Sequence, residues 1–305
     1  MIKLVLLTGF LGSGKTTLLD VLLKHYETRK IGLIVNEFGE INIDAKLLKR
    51  NGVSMSELSN GSIFCACIKE NFVNGLLEMS KEDIEYLFIE ASGLADPSSM
   101  QGLLETIAVK TANPYSYLGS ICVIDAEAFL ELKELLPAVS NQLTYAGAVI
   151  VNKTDLVGQD TLDIIKAHIE KANPKAKIYF TTYCKADIDE LTAALHPSDV
   201  ESAPSTNVPE SRPMTLIVKI DETITVQELQ DFLHLVAPST FRVKGFVKIG
   251  GRTYSVSAVR DHVMMLPWPE EVEQSELVII SSVGIKLTTL VINAIEKTVP
   301  GKITL

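Results

Sequence analysis

The segment GFLGSGKT, Gly9 to Thr16, constrains this chain more than any other. It fits the pattern G-x-x-x-x-G-K-[ST], follows the apolar run IKLVLLT and opens the helical pattern GKTTLLDVLLKHYE. In a strand–loop–helix context, glycines let backbone N–H groups turn inward around phosphate oxygens at a helix N-terminus, where the macrodipole favours an anion. A glycine-rich turn without a ligand needs neither the lysine nor the threonine at those offsets. Gly9, Gly12, Ser13 and Gly14 therefore read as a phosphate cradle and Lys15 as the cation that reaches the β- and γ-phosphates. Thr16 reads as the hydroxyl that holds Mg2+, and Thr17 as a second phosphate contact or as helix packing.

That unit predicts an α/β fold of P-loop NTPase type. Short runs, apolar nearly throughout, follow one another as IKLVLLT, KIGLIVN, YLFIEAS, SICVID, AVIVNK and KIYFTT, the form of strands covered on both faces of a mostly parallel sheet. Between them, GKTTLLDVLLKHYE, DAEAFLELKELL and DTLDIIKAHIEKA carry apolar residues at three- and four-residue spacing, which predicts helices on both sheet faces. The Pro- and Ser-rich stretch His196 to Pro213 marks a change of grammar. Beyond it come a strand MTLIVKI, a helix TVQELQDFLHLV, strands RVKGFVKI and RTYSVSAV around a GGR turn, a strand ELVIISS and a closing helix KLTTLVINAIEKTV. The expected organisation is a nucleotide-binding domain over 1–196, a linker over 197–213 and a smaller α+β domain over 214–305.

Charge and cysteine usage narrow the partners. A formal net charge of −10 in 305 residues argues against nucleic acid or an anionic membrane as the main partner, so an anionic ligand needs a local site. Four cysteines, at 65, 67, 122 and 184, make no disulfide framework in a chain this long, and a reducing, cytoplasmic setting is expected. The opening MIKLVLL runs directly into TGFLGSGKTT, so no targeting segment is read there. No apolar run is long enough to span a bilayer.

Three downstream motifs extend the phosphate site. VNKTD, Val151 to Asp155, closes an apolar strand, and Asp155 at that edge can accept hydrogen bonds from the ring N–H and exocyclic amine of guanine. Taken alone it also fits a strand-to-helix turn with Asp155 as N-cap. LFIEASGLADP, Leu87 to Pro97, ends a strand in Glu90, a carboxylate that would reach Mg2+ through a water or orient the attacking water. The amide of Gly93 is placed to contact the γ-phosphate and report hydrolysis. IVNEFGEINID, Ile34 to Asp44, gathers Glu37, Glu40 and Asp44 in a loop, either as solvated acids or as a second switch.

In this order TGFLGSGKTTLL, VNEFGEINID, ELSNG, EASGLADP and VNKTDL resemble the CobW-type family of P-loop GTPases, related to the accessory GTPases that serve nickel enzymes. RVKGFVKI resembles the start of that family's C-terminal domain. The resemblance implies phosphate and Mg2+ roles for Gly14, Lys15, Thr16 and Thr17, a switch at Glu90 and Gly93, and guanine contacts by Asn152, Lys153 and Asp155. It implies a GTP-hydrolysing metallochaperone or cofactor-assembly protein, serving a client metalloprotein or a cobalamin-related one, with a homodimer as a further possibility.

The cysteines depart from that family. After its NG the usual pattern is Cys, any residue, Cys, Cys, whereas here Ser62, Ile63, Phe64 and Cys65 follow, so only Cys65 is in register. In an extended segment Cys65 and Cys67 point to one side, and with Glu37 or Glu40, water or a second chain they would hold zinc or another thiophilic or borderline divalent metal. The competing reading makes them two small buried residues beside Phe64. Cys122 and Cys184 read as core. Competing functions are a P-loop small-molecule kinase, which NKTD disfavours, a GTP-dependent scaffold without metal, and a thiol redox module at Cys65 and Cys67.

Overall fold

The computed structural model describes residues 1–36, 54–58, 69–200, 213–259, 262–269 and 271–305, and the chain divides into two compact units, Met1–Ser211 and Arg212–Leu305. The first is built on β1 (Ile2–Thr8), β2 (Ile31–Asn36), β3 (Ser54–Leu58), β4 (Tyr86–Glu90), β5 (Tyr115–Asp125), β6 (Ala148–Asn152) and β7 (Lys177–Phe180). These form a 7-stranded sheet in the order β3-β2-β4-β1-β5-β6-β7, with parallel pairing throughout. Its helices are α1 (Lys15–His25), α2 (Lys69–Met79), α3 (Met100–Ile107), α4 (Phe129–Leu135), α5 (Pro137–Thr144), α6 (Gln159–Ala172) and α7 (Ile188–Ala193).

Alternation along β1 shows why its sequence is apolar on both faces. Val5 and Leu7 pack with Leu18, Leu19 and Leu22 of α1 and Ile188 and Leu191 of α7. Leu4 and Leu6 face the other way, toward Phe72 and Leu76 of α2 and Met100 and Leu103 of α3. The six runs read as strands are all present. The seventh strand, β3, has the sequence SMSEL, whose polar residues at a sheet edge carry no buried-strand signal. The helix expected from Asp125 begins only at Phe129, because β5 runs through Asp125 and pairs it with Asn152.

The second unit contains β8 (Thr215–Ile220), α8 (Val226–Val236), β9 (Thr240–Ile249), β10 (Arg252–Val259), β11 (His262–Trp268), β12 (Glu276–Ser281), α9 (Lys286–Thr298) and β13 (Ile303–Thr304). Its 6-stranded antiparallel sheet has the order β11-β10-β9-β12-β8-β13. Gly250 and Gly251, at φ 57 and 76, supply the left-handed two-residue turn between β9 and β10. Thr225 and Glu228 form a capping box that starts α8, with each side chain satisfying the other's backbone N–H. Leu229, Phe232 and Leu233 of α8 and Leu287 and Val291 of α9 cover Val218, Val243, Val256 and Leu277 of the sheet.

Phe232 is fully buried in that core, and its replacement in Phe232→Ala is expected to cost about 3–5 kcal/mol. Trp268, the chain's one tryptophan, packs at 5.1 Å from Phe246 in the same unit, so urea unfolding followed by its fluorescence reads this unit. An unshifted midpoint would contradict the assigned core.

Candidate functional site

The loop after β1 and the ends of β4, β5 and β6 lie at the same sheet edge, the C-terminal one, where an open parallel sheet presents ligand groups. Gly14 is the N-cap of α1 at φ 113, and a Cβ there would lie 2.4 Å from Nδ2 of Asn152 and 3.2 Å from Sγ of Cys184. Only glycine fits both the backbone and the space. The ammonium of Lys15, buried behind the loop, donates to the carbonyls of Gly9 at 2.9 Å and Phe10 at 3.0 Å. The hydroxyl of Thr16 donates to Oε1 of buried Glu90 at 2.9 Å, which joins the start of α1 to the end of β4. Gly12 and Thr17 are exposed.

The hydroxyls of Ser13 and Ser92 are both buried without a hydrogen-bond partner among the described residues. Orphaned buried hydroxyls are uncommon and call for a ligand or ordered water. Ser13 was expected in the cradle from its place in GFLGSGKT. Ser92, two residues past Glu90, carried no signal of its own. Gly93 comes so close to the phosphate loop that a Cβ would lie 2.6 Å from the backbone nitrogen of Leu11.

The second half of the site hangs on Asn152. Its Nδ2 donates to the carbonyl of Ser13 at 2.9 Å, while its Oδ1 accepts from the amide of Cys184 at 2.9 Å and from the hydroxyl of Thr181 at 3.3 Å. One side chain thus ties the phosphate loop to the loop after β7. Lys153, at φ 61, donates to Oδ2 of Asp125 at 2.6 Å. Asp155 is exposed, and its Oδ1 accepts from Thr182 at 3.2 Å. The expected residues Gly14, Lys15, Thr16, Glu90, Asn152, Lys153 and Asp155 are thereby linked at one edge, and Gly93 reaches it through Leu11.

Sequence reasoning missed Asp125, whose signal was a carboxylate closing an apolar strand. It also missed the loop Thr181 to Cys184, where Tyr183 and Cys184 both hold φ 54, a left-handed conformation that costs non-glycine residues energy. Cys184 is buried as expected and donates its thiol to the carbonyl of Gly14 at 3.4 Å. Cys122 is likewise free and buried in β5. The expected metal ligands Glu37, Glu40, Cys65 and Cys67, with residues 201–212 of the linker expected over 197–213, lie outside the described residues. Among the described residues no group of three or more His, Cys, Asp or Glu side chains could hold a metal ion, and no helix is long and apolar enough to cross a membrane.

A strand–loop–helix cradle with its lysine, threonine and facing carboxylate defines a P-loop nucleotide-binding protein. Residues 3–180 match the CobW/HypB/UreG nucleotide-binding domain, and residues 214–295 match the cobalamin synthesis protein cobW C-terminal domain. The chain belongs to the CobW/HypB/UreG family. It is 28% identical over 315 residues to the zinc chaperone YjiA of Escherichia coli (strain K12), a match covering 94% of this chain and 95% of that one. It is also 28% identical over 254 residues to zinc-regulated GTPase metalloprotein activator 1 of Dictyostelium discoideum, where 67% of this chain spans only 53% of the relative. Among solved structures, Zn(II)-bound YjiA GTPase from E. coli aligns over 97% of this chain and 98% of its own, at 23% identity and a TM-score of 0.48.

Burial pushes the thiols of Cys122 and Cys184 up to about 12, so at pH 8 only about one in ten thousand of either is the nucleophilic thiolate. Iodoacetamide on the folded protein at that pH is expected to leave both unmodified by peptide mass mapping, and to modify both in urea. Native labelling at the rate of a free thiol would contradict their placement.

Proposed function

We propose that this chain is a GTP-hydrolysing metallochaperone that couples its nucleotide state to capture and release of a zinc-class divalent metal for a client protein. The observation that carries the reading is the bridge of Asn152 between Ser13 and Cys184, which ties the end of β6, read here as guanine-recognising, to the phosphate loop. The names of the relatives as zinc chaperones and as a zinc-regulated activator support the metal side.

In this reading Lys15 exchanges the carbonyls of Gly9 and Phe10 for β- and γ-phosphate oxygens, and the backbone N–H groups from Gly9 to Gly14 surround the β-phosphate. Thr16 and Glu90 bring a hydroxyl and a carboxylate oxygen together, a hard oxygen pair that fits Mg2+. The ion, when bound, neutralises charge that develops between the β- and γ-phosphates. Glu90 would help hold the ion or align the attacking water, and the amide of Gly93 would sense the γ-phosphate. Asp155 accepts the two guanine donors, with Lys153 held in place by Asp125. Neither IVNEFGEINID nor LFIEASGLADP contains an arginine, so transition-state charge is left partly uncompensated and basal hydrolysis is slow. Cys65 and Cys67, with Glu37 or Glu40, take the metal in a reducing cytoplasm, and a client or second copy receives it.

Selection of guanine is the first test. The parent protein is expected to bind GTP at least about tenfold more tightly than ATP, and Asp155→Ala to remove most of that difference by leaving guanine donors unpaired. Competition binding with labelled GDP reads both, and equal affinities in the parent would defeat the reading. The metal side is tested by zinc titration of the full chain with a GTP analogue and with GDP. Affinity is expected to differ between the two states, with zinc altering analogue affinity by the same factor, and Cys65→Ser with Cys67→Ser is expected to abolish the dependence. Unchanged zinc binding in the double variant would make the two thiols core packing.

A further inference from the structure

All eight residues from Ala91 to Ser98, the segment that leaves β4 after Glu90, are buried. A buried loop must find internal partners for its polar backbone, and here the partners come from α5. Nε2 of Gln142, itself fully buried, donates to the carbonyl of Gly93 at 3.2 Å and to that of Ala95 at 2.8 Å. Both amide hydrogens of that side chain are therefore spent on one stretch of loop. Its neighbour Asn141 donates to Oδ2 of Asp96 at 2.9 Å, while Oδ1 of Asp96 accepts from the amide of Ser98 at 3.0 Å.

α5 is fixed in turn. Asn173, just past the end of α6, donates through Nδ2 to the carbonyls of Leu143, Thr144 and Ala146 at 2.9, 3.2 and 2.8 Å, which ties down the C-terminal end of α5. The chain of contacts runs from α6 through α5 to Gly93, and from Gly93 to the backbone nitrogen of Leu11 in the phosphate loop.

We propose that Gln142 is a positioning residue for γ-phosphate recognition: it fixes the Gly93–Leu94 and Ala95–Asp96 peptide planes and so holds Gly93 against the phosphate loop. The proposal rests on reading that loop as a GTP site. A residue that acts this way changes how the protein tells GTP from GDP, because only the triphosphate extends to Gly93. A residue that merely supports the fold changes affinity for both nucleotides alike. Asn141 acts on the same segment through its hydrogen bond to Asp96.

The test is the ratio of GTPγS to GDP affinity, measured by titration of the full chain. Gln142→Met keeps the length of the side chain and removes both donors. Its GDP affinity is expected to stay within about twofold of the parent, and its GTPγS affinity and turnover of GTP to fall by about tenfold. Asn141→Ala is expected to move the ratio in the same direction by about threefold, and it gives the reading if Gln142→Met does not fold. A parent that fails to bind GTPγS overturns the GTP assignment and this role with it. A parent that binds, beside variants whose ratio is unchanged, overturns the role of Gln142 alone.

Discussion

The meeting of three chain segments at Gly14 is the constraint on which the rest of the site depends. Its backbone is left-handed, and the space its side chain would need is filled by Asn152 and Cys184. Those two residues also bond each other, through the amide of Cys184 and Oδ1 of Asn152, and both bond the loop, at the carbonyls of Ser13 and Gly14. The result is a closed cycle of hydrogen bonds linking the loop after β1, the end of β6 and the loop after β7. Each bond contributes about 1 kcal/mol net, but losing one partner leaves another buried polar group unsatisfied at greater cost. The cycle therefore stands or falls together, which explains the tolerance of left-handed backbone at Tyr183 and Cys184.

Sheet topology decides what reaches that cycle. β1 lies between β4 and β5, so the chain passes to one side of β1 for its second to fourth strands and to the other side for the rest. The crevice where the direction changes is where α/β sheets bind ligands. From one side it receives Glu90 and the segment after it, and from the other Asp125 and Asn152. Parallel pairing puts all these residues at C-terminal strand ends, so hydrogen-bond register alone brings together groups more than sixty residues apart, such as Thr16 and Glu90.

Features written in local spacing were legible in the sequence. The phosphate loop, the NKTD segment and six of the strands depend on offsets of a few residues or on unbroken apolar runs. β3, β11 and the two-residue β13 were not read. SMSEL is polar at a sheet edge, and HVMMLPW carries a proline and leaves Met264 and Leu266 exposed. Asp125, Ser92 and Gln142 were missed for a different reason. Asp125 closes an apolar strand, but its partner Lys153 is set only by sheet pairing, and the hydroxyl of Ser92 and the amide of Gln142 acquire their places only when distant elements pack. In the C-terminal unit the GGR turn and both helices were legible because turn glycines and three- and four-residue apolar spacing act locally.

The burial of residues 91–98 bears on how such a site can respond to a nucleotide. Freeing the segment would break the two bonds from Gln142 and the bond from Asn141 to Asp96. At about 1–3 kcal/mol for each buried group left unpaired, that exceeds what is needed to shift an evenly balanced two-state loop. The segment is accordingly a preorganised surface rather than a loop that orders on binding. Preorganised groups stabilise charge without reorganising at the moment of reaction. A γ-phosphate meeting Gly93 would therefore encounter a fixed wall, and the differential contact that distinguishes GTP from GDP would reside in the position of that wall, set from α5.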